Sequence, residues 1–210
     1  MQTAPLSTIP DNSSTQRILA AAESLFAEQG YDAVSMNAIA LKAGVSKANI
    51  FHHFSSKNAL YLAVLQAACE ASCEHLDHLE SGDGSFVERL CEFAQNHLQS
   101  ILLHSQVARL VLRDLLEKGP EHSRELAEQV YGRNFSKLVE IIRGGQARGE
   151  LRRDIDPAAV TVMLIAANVY FFLARDTLRH FTEVNFADDA LSYNRQTMQV
   201  LLNGLLPNPS

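Results

Sequence analysis

The sequence predicts an all-α fold, and three observations indicate it. Glycine and proline are sparse, at ten and six of 210 residues. Apolar residues recur three and four positions apart, whereas the strict alternation typical of a half-buried strand is absent. Hydrophobic residues make up 47% of the chain, which is enough for a sizeable core in one large domain or two modest ones. We expect about nine helices.

The first helix is expected to follow a polar arm. Residues 1–13 are rich in Pro, Ser and Thr and lack the charged start and apolar run of a signal peptide, so we predict a disordered arm. Ser14 or Thr15 should cap the next helix, and Gly30 should end it. The apolar stripe of this helix comprises Ile18, Leu19, Ala22, Leu25 and Phe26.

Two short helices should come next, joined by a sharp turn. Ser35 is placed to cap a second helix, and Ser46 to cap a third. Gly44 supplies the turn between them, so the spacing predicts a helix-turn-helix over residues 35–54. In the third helix Ile50 and Phe54 are four residues apart and should point into the core.

Longer helices should complete the chain. A fourth is expected from Lys57 to about Asp77, followed by a glycine-containing surface turn at residues 81–85. Asp156 and Pro157 are typical of an N-cap and a first helical residue. We predict the remaining helices at about residues 86–103, 106–118, 121–148, 157–181 and 188–206.

The charge distribution singles out the helix-turn-helix. The chain has a net charge of −6, yet residues 33–69 contain neither Asp nor Glu. Residues 1–60 are neutral overall, and the rest of the chain carries the whole negative charge. A basic surface on a neutral module would orient an otherwise acidic protein on a polyanion such as DNA.

The apolar run Ala158–Ala174 raises the question of a membrane span. Its 17 uncharged residues fall short of the ~20 that a span requires, so we predict a buried helix and no membrane partner. With no export signal, we expect a cytoplasmic protein whose thiols are reduced. The three cysteines are Cys69, Cys73 and Cys91.

The sequence predicts neither an enzyme nor a metal site. It contains no P-loop, no glycine-rich dinucleotide turn and no Gly-x-Ser-x-Gly elbow, and we expect no cofactor. His75 and His78 lie near Cys73, but histidines three apart at an exposed helix end are usually solvated, and no His-Glu-x-x-His motif is present. A metal- or redox-responsive regulator stays open as an alternative.

The helix-turn-helix residues resemble a known family. The segment Ala43-Gly-Val-Ser-Lys-Ala-Asn-Ile-Phe-His-His-Phe-Ser-Ser-Lys-Asn-Ala-Leu60 is similar to the signature of the TetR (tetracycline-repressor-like) family. Leu25–Tyr31 and Ser35–Ala40 resemble the first two helices of that family, and Gly149–Pro157 resembles the segment before its eighth helix. The signature covers about residues 14–60, whereas most of residues 80–206 is similar only in helical architecture.

The resemblance implies a DNA-binding domain at residues 14–60 and a ligand-binding and dimerisation domain at residues 61–206. It implies a homodimer that represses from a palindromic operator and is released by a small effector. Lys47, Ala48 and Phe51 would lie nearest the bases. The other implied DNA-binding residues, facing phosphates or the groove wall, are Ser35, Met36, Ser46, Asn49, His52, His53 and Lys57.

Phe51 is a departure from the family, which commonly has Tyr there. Its ring could touch a thymine methyl group, or it could pack against the core. The hydroxyl that a tyrosine would offer for a polar contact is absent. Phe51 is therefore the position at which this chain would read DNA differently.

Two sets of residues are predicted in the body of the protein. One apolar stripe suits a four-helix dimer interface: Val160, Leu164, Ala167, Phe171 and Leu178. An isolated polar group on an apolar face marks the candidate ligand-binding residues: Phe93, His97, Arg109, Asn168, Tyr170 and Arg175. Few charges interrupt these faces, so we expect a hydrophobic small molecule. A helical interaction protein that binds no DNA, with Ala158–Ala174 as its partner surface, is the other alternative.

Overall fold

Residues 12–72, 75–117 and 119–205 are described in a computed structural model, and they form eleven α-helices and no strand. The predicted all-α fold is therefore confirmed. The helices are α1 Asn12–Gln29, α2 Met36–Ala43, α3 Lys47–His53, α4 Lys57–Ser72, α5 Leu76–Ser81, α6 Phe86–Leu103, α7 Ser105–Glu117, α8 Pro120–Leu126, α9 Gly132–Ala147, α10 Pro157–Leu178 and α11 Ala190–Leu205. Most of the predicted arm, and Cys73 with Glu74, lie outside the described residues.

The helix-turn-helix forms where the local signals predict it. The Ser35 hydroxyl accepts a hydrogen bond from the Ala38 N–H at 3.1 Å, and that of Ser46 accepts one from the Asn49 N–H at 3.1 Å. Gly44 has a φ of 66°, a left-handed backbone conformation that residues other than glycine rarely adopt. These three residues fix the ends of α2 and α3, and so fix the angle between them.

The structure differs from the prediction mainly at helix boundaries. The fourth predicted helix is two helices, α4 and α5, so Asp77 lies in a separate element. The long helix predicted at residues 121–148 is interrupted by a π-helical turn at Ala127–Tyr131, which separates α8 from α9. The first helix begins at Asn12, two residues before the predicted cap. None of these changes moves the helix-turn-helix.

Two apolar cores divide the described residues. We call α1–α4 the head and α5–α11 the body. The head core is built on Ile18, Phe26, Ile39 and Ile50, and the body core on α6 and α9–α11. Three body residues nevertheless belong to the head core: Leu110, Leu126 and Val130. The head thus packs directly on α7 and α8.

Helix α10 turns the predicted dimer stripe inward. Val160, Leu164 and Phe171 are at most 3% exposed inside the protomer's own core, so their side chains do not lie on its surface, and their role in a dimer interface stays a prediction. Ala167 and Leu178, the other two residues of the stripe, are half-buried. The opposite face of the helix is exposed and apolar, and comprises Val162, Met163, Tyr170 and Leu173.

Helix α10 is also long and apolar enough to cross a membrane, judged by length and composition alone. Core helices of soluble proteins share this property. Here α10 packs against α6 and α9 within the body.

Candidate nucleic-acid interface

Helix α3 places a compact group of side chains on the surface of the head. Ser46, Lys47, Ala48 and His52 are exposed, and Ile50 on the opposite face is completely buried. The buried face therefore fixes the orientation of the helix, and the exposed face carries the predicted DNA-binding residues. A small side chain at Ala48 leaves room for a groove wall between Lys47 and His52.

The Phe51 ring lies on this exposed face and does not pack in the head core. It is 45% exposed, and the Lys47 Nζ lies 5.9 Å from its centroid. Lys47 and Phe51 are four residues apart on a helix, so the ammonium and the ring form one surface feature. Such a pair can offer a cation to a guanine or a phosphate and an apolar edge to a thymine methyl group.

Three predicted DNA-binding residues of α2 and α3 are half-buried or buried. Asn49 is half-buried, and its Oδ1 is buried with no hydrogen-bond partner among the described residues. The His53 Nδ1 lies 3.3 Å from the Thr15 hydroxyl of α1, which ties α3 to the first helix. The Met36 side chain is 8% exposed and belongs to the head core, so only its backbone could contact DNA.

The remaining predicted DNA-binding residues lie at the N-terminal ends of α2, α3 and α4. Ser35 and Ser46 are exposed, and because their oxygens accept the capping bonds, their hydroxyl hydrogens remain donors for a phosphate. The Lys57 Nζ lies 4.3 Å from the Tyr31 ring centroid and donates to the Asp32 carbonyl at 3.4 Å. This holds the lysine at the start of α4. Free N–H groups at helix N-termini add to the attraction for anions.

A buried polar group lies inside the body. The Asn168 amide donates to the Ala94 carbonyl at 2.8 Å and contacts the His97 Nδ1 at 3.0 Å. Asn194 of α11, which the sequence did not single out, donates to the Asn168 Oδ1 at 3.4 Å. Burial lowers the pKa of His97 to about 4, so its imidazole is neutral. The ring stacks on Phe93 with centroids 6.0 Å apart.

Only three of the six predicted ligand-binding residues come together in this group. Tyr170 is 62% exposed on the outer face of α10, so it is not part of the buried group. Arg109 is exposed, with its guanidinium 5.5 Å from the Phe172 ring centroid, and Arg175 lies beside Asp176. A surface groove of about 290 Å³ contains none of the six and is lined by Phe186, Tyr193, Gln196, Thr197, Val200 and Leu201.

The candidate sensing residues are scattered. His78 Nε2 pairs with Glu92 at 3.1 Å, and Cys91 is half-buried, which raises the pKa of its thiol. Within residues 12–72, 75–117 and 119–205, no three His, Cys, Asp or Glu side chains are grouped to hold a metal ion. Cys73 lies outside these ranges.

Two family models together match most of the chain. Residues 18–64, which contain the helix-turn-helix, match the family described as bacterial regulatory proteins, tetR family. Residues 86–202 match the tetracyclin repressor-like C-terminal domain. The two matches correspond to the head and the body.

Known proteins are similar to the chain both in sequence and in fold. The transcriptional activator FasR of Mycolicibacterium smegmatis is 45% identical over 74 residues, which are 35% of this chain and only 31% of FasR. The transcriptional regulator RutR of Escherichia coli is 26% identical over 194 residues, covering 90% of this chain and 89% of RutR. The fatty acid degradation regulator FadR of Bacillus halodurans shares the fold, with a TM-score of 0.73 at 18% identity over 95% of this chain and 98% of FadR. The chain belongs to the TetR family of transcriptional regulators.

Proposed function

We propose that the protein is a cytoplasmic, ligand-responsive repressor that binds a palindromic operator as a homodimer. The observation that carries this proposal is the exposed face of α3, where Lys47, Phe51 and His52 project from a segment without acidic residues. A face of this composition suits the major groove, because it combines a cation, an apolar edge and hydrogen-bonding groups. We propose no enzymatic activity for it.

We propose that residues 14–60 bind DNA and that residues 61–206 bind the ligand and form the dimer. Dimeric helix-turn-helix proteins bind half-sites ~34–36 Å apart, so the geometry of the body can control the spacing of two heads. The exposed face of α10 supplies the dimer surface in this proposal: Val162, Met163, Tyr170 and Leu173. It replaces the buried stripe on the other side of the helix.

The effector in this proposal is a small hydrophobic molecule. Its supporting feature is the buried group of His97, Asn168 and Asn194 within the largely apolar body core. A few polar groups in an apolar surrounding can orient such a ligand. FasR is named an activator, but its match covers only 35% of this chain and 31% of FasR, so we keep repression for this chain.

Lys47→Ala is expected to weaken binding to the natural operator by roughly 10-fold, because a good base contact is worth ~1–3 kcal/mol. Footprinting of the purified protein on genomic fragments would first identify the operator. Fluorescence anisotropy with that operator and with a scrambled duplex would then compare the variant with the wild type. Wild-type affinity and specificity in the variant would contradict the assignment of α3 as the reading helix.

Lys57→Ala is expected to lower the slope of log affinity against log salt by about one, because one phosphate contact is lost. The matched control is Lys42→Ala, since Lys42 pairs with Ser24 and Glu28 on α1. Operator titrations between 50 and 200 mM salt give both slopes, because the affinity of such proteins falls ~10³–10⁵-fold over this range. Equal slopes for the two variants would rule out Lys57 as a phosphate contact.

A further inference from the structure

The hydrogen bonds of Asn168 determine which ring nitrogen of His97 carries the proton. The Asn168 Nδ2 donates to the Ala94 carbonyl at 2.8 Å, which identifies this atom as the nitrogen of the amide. The same Nδ2 lies 3.0 Å from the His97 Nδ1. An amide nitrogen can only donate, so the His97 Nδ1 must accept with its lone pair. The hydrogen-bond network therefore assigns the proton of the neutral ring to Nε2.

Asn194 of α11 holds the Asn168 amide in this orientation. Its Nδ2 donates to the Asn168 Oδ1 at 3.4 Å, and both side chains are buried. If the Asn168 amide turned over, its oxygen would face the Ala94 carbonyl and its N–H groups would face the Asn194 donor. Neither contact is then a hydrogen bond, which is costly for buried polar groups. The packing of α6 against α10 and α11 therefore selects one tautomer of His97.

The Nε2–H group of His97 is a donor without an acceptor. His97 is 7% exposed, and its Nε2 has no hydrogen-bond partner in the part of the chain that the structure describes. The Phe93 ring stacks on the imidazole with centroids 6.0 Å apart, so it covers the flat face of the ring and leaves the in-plane N–H free. A buried N–H group without an acceptor is unfavourable. A ligand that supplies the acceptor removes this cost.

The surroundings of His97 favour a neutral acceptor over a charged one. Burial lowers the pKa of His97 to about 4, so this donor is uncharged at neutral pH, as are Asn168 and Asn194. The next charged side chain on this face of α10 is Arg175, seven residues and about 10 Å along the helix. An ionised carboxylate would lose its hydration here without gaining a cation. A carbonyl oxygen, by contrast, needs only one neutral donor.

We propose that the effector is an apolar carbonyl compound whose oxygen accepts a hydrogen bond from the His97 Nε2–H. Asn168 and Asn194 are positioning residues that keep the proton on this nitrogen. The regulatory role of the bound molecule rests on the proposed function, whereas its binding to His97 does not. A molecule whose only polar group is an ammonium cannot accept a hydrogen bond, so cationic amines are excluded as effectors.

NMR of the histidine ring nitrogens tests the tautomer in the full-length protein without ligand. At neutral pH the His97 ring should show a protonated Nε2 and an unprotonated Nδ1, and the loss of these signals in His97→Phe identifies them. In Asn168→Asp the new carboxylate can only accept, so the His97 Nδ1 should become protonated. Asn134→Asp is the matched control, since Asn134 lies on α9 and donates to the Cys69 carbonyl. A protonated Nδ1 in the wild type would overturn the proposal.

Cyclohexanone and methylenecyclohexane are suitable probes, because they differ only in an oxygen that replaces a methylene group. Titrations followed by NMR give the affinity of each probe, and the ketone should also move the His97 Nε2–H resonance. The ratio of ketone to alkene affinity should be roughly 3–10-fold higher in the wild type than in His97→Phe, which keeps an aromatic ring beside Phe93 but has no N–H. His104→Phe should keep the wild-type ratio, since His104 is exposed and contacts the Ser100 carbonyl.

The outcomes separate His97 binding from regulation. An affinity ratio that His97→Phe leaves unchanged, or a ketone that does not move the Nε2–H resonance, would overturn the proposal. Displacement of cyclohexanone by an equal concentration of cyclohexanecarboxylate would contradict a neutral effector. Circular dichroism melts show whether each variant is folded, and the probe ratios decide the matter if Asn168→Asp does not fold. No DNA is present in these measurements, so absence of operator binding would contradict only the proposed function.

Discussion

Leu173→Glu is expected to convert the protein from dimer to monomer and to weaken operator binding by roughly 10²–10⁴-fold, because two linked heads bind far more tightly than one. Leu173 is 55% exposed at the centre of the apolar face of α10. A carboxylate there would be desolvated in the dimer without a partner. In the monomer it would face water and cost little.

Size-exclusion chromatography with light scattering measures the change in mass, and anisotropy with a full and a half operator measures the change in affinity. Leu116→Glu is the matched control, since Leu116 is an exposed leucine of α7 outside the proposed interface. It should remain dimeric. A Leu173→Glu protein that stays dimeric with wild-type affinity would contradict the α10 interface.

Phe171→Ala is expected to destabilise the fold by about 3–5 kcal/mol, the usual cost of removing a buried aromatic ring. Phe171 is 1% exposed and stacks on Tyr193, with ring centroids 4.3 Å apart. The substitution leaves a cavity between α10 and α11. Phe171 is only two residues from Leu173, but we expect its substitution to change the free energy of unfolding and not the dimer surface.

Urea denaturation at one fixed protein concentration measures this loss, because the stability of a dimer depends on concentration. Phe181→Ala is the control, since Phe181 is half exposed after α10 and should change stability by no more than ~0.5 kcal/mol. Dissociation of the Phe171→Ala dimer with unchanged unfolding would restore the original interpretation of Phe171 as an interface residue.

The helix-turn-helix could be predicted almost residue by residue, because its signals are local. Ser35, Gly44 and Ser46 act on backbone groups within four residues of themselves. The acid-free segment also lies within one stretch of sequence, so its charge could be read directly. The exposure of the Phe51 ring could not be predicted, because helical phase placed this residue on a flank between the core and the surface.

The body could not be predicted at the same level. Helix α10 is apolar on both faces, so periodicity does not indicate whether Phe171 or Leu173 faces the protomer core. The hydrogen bond from the Tyr61 hydroxyl of α4 to Asp114 of α7 could not be predicted for another reason. Tyr61 and Asp114 are 53 residues apart, and only the packing of α4 on α7 brings them together.

The shared core between head and body limits how the head can be used in engineering. Leu110 and Leu126 of the body complete the apolar interior of α1–α4. A chimera that grafts this head onto an unrelated sensor would leave that interior open to water, unless the new sensor supplied matching side chains. The structure therefore favours exchanging the head together with α7, α8 and the π-helical turn that carries Val130, as one unit.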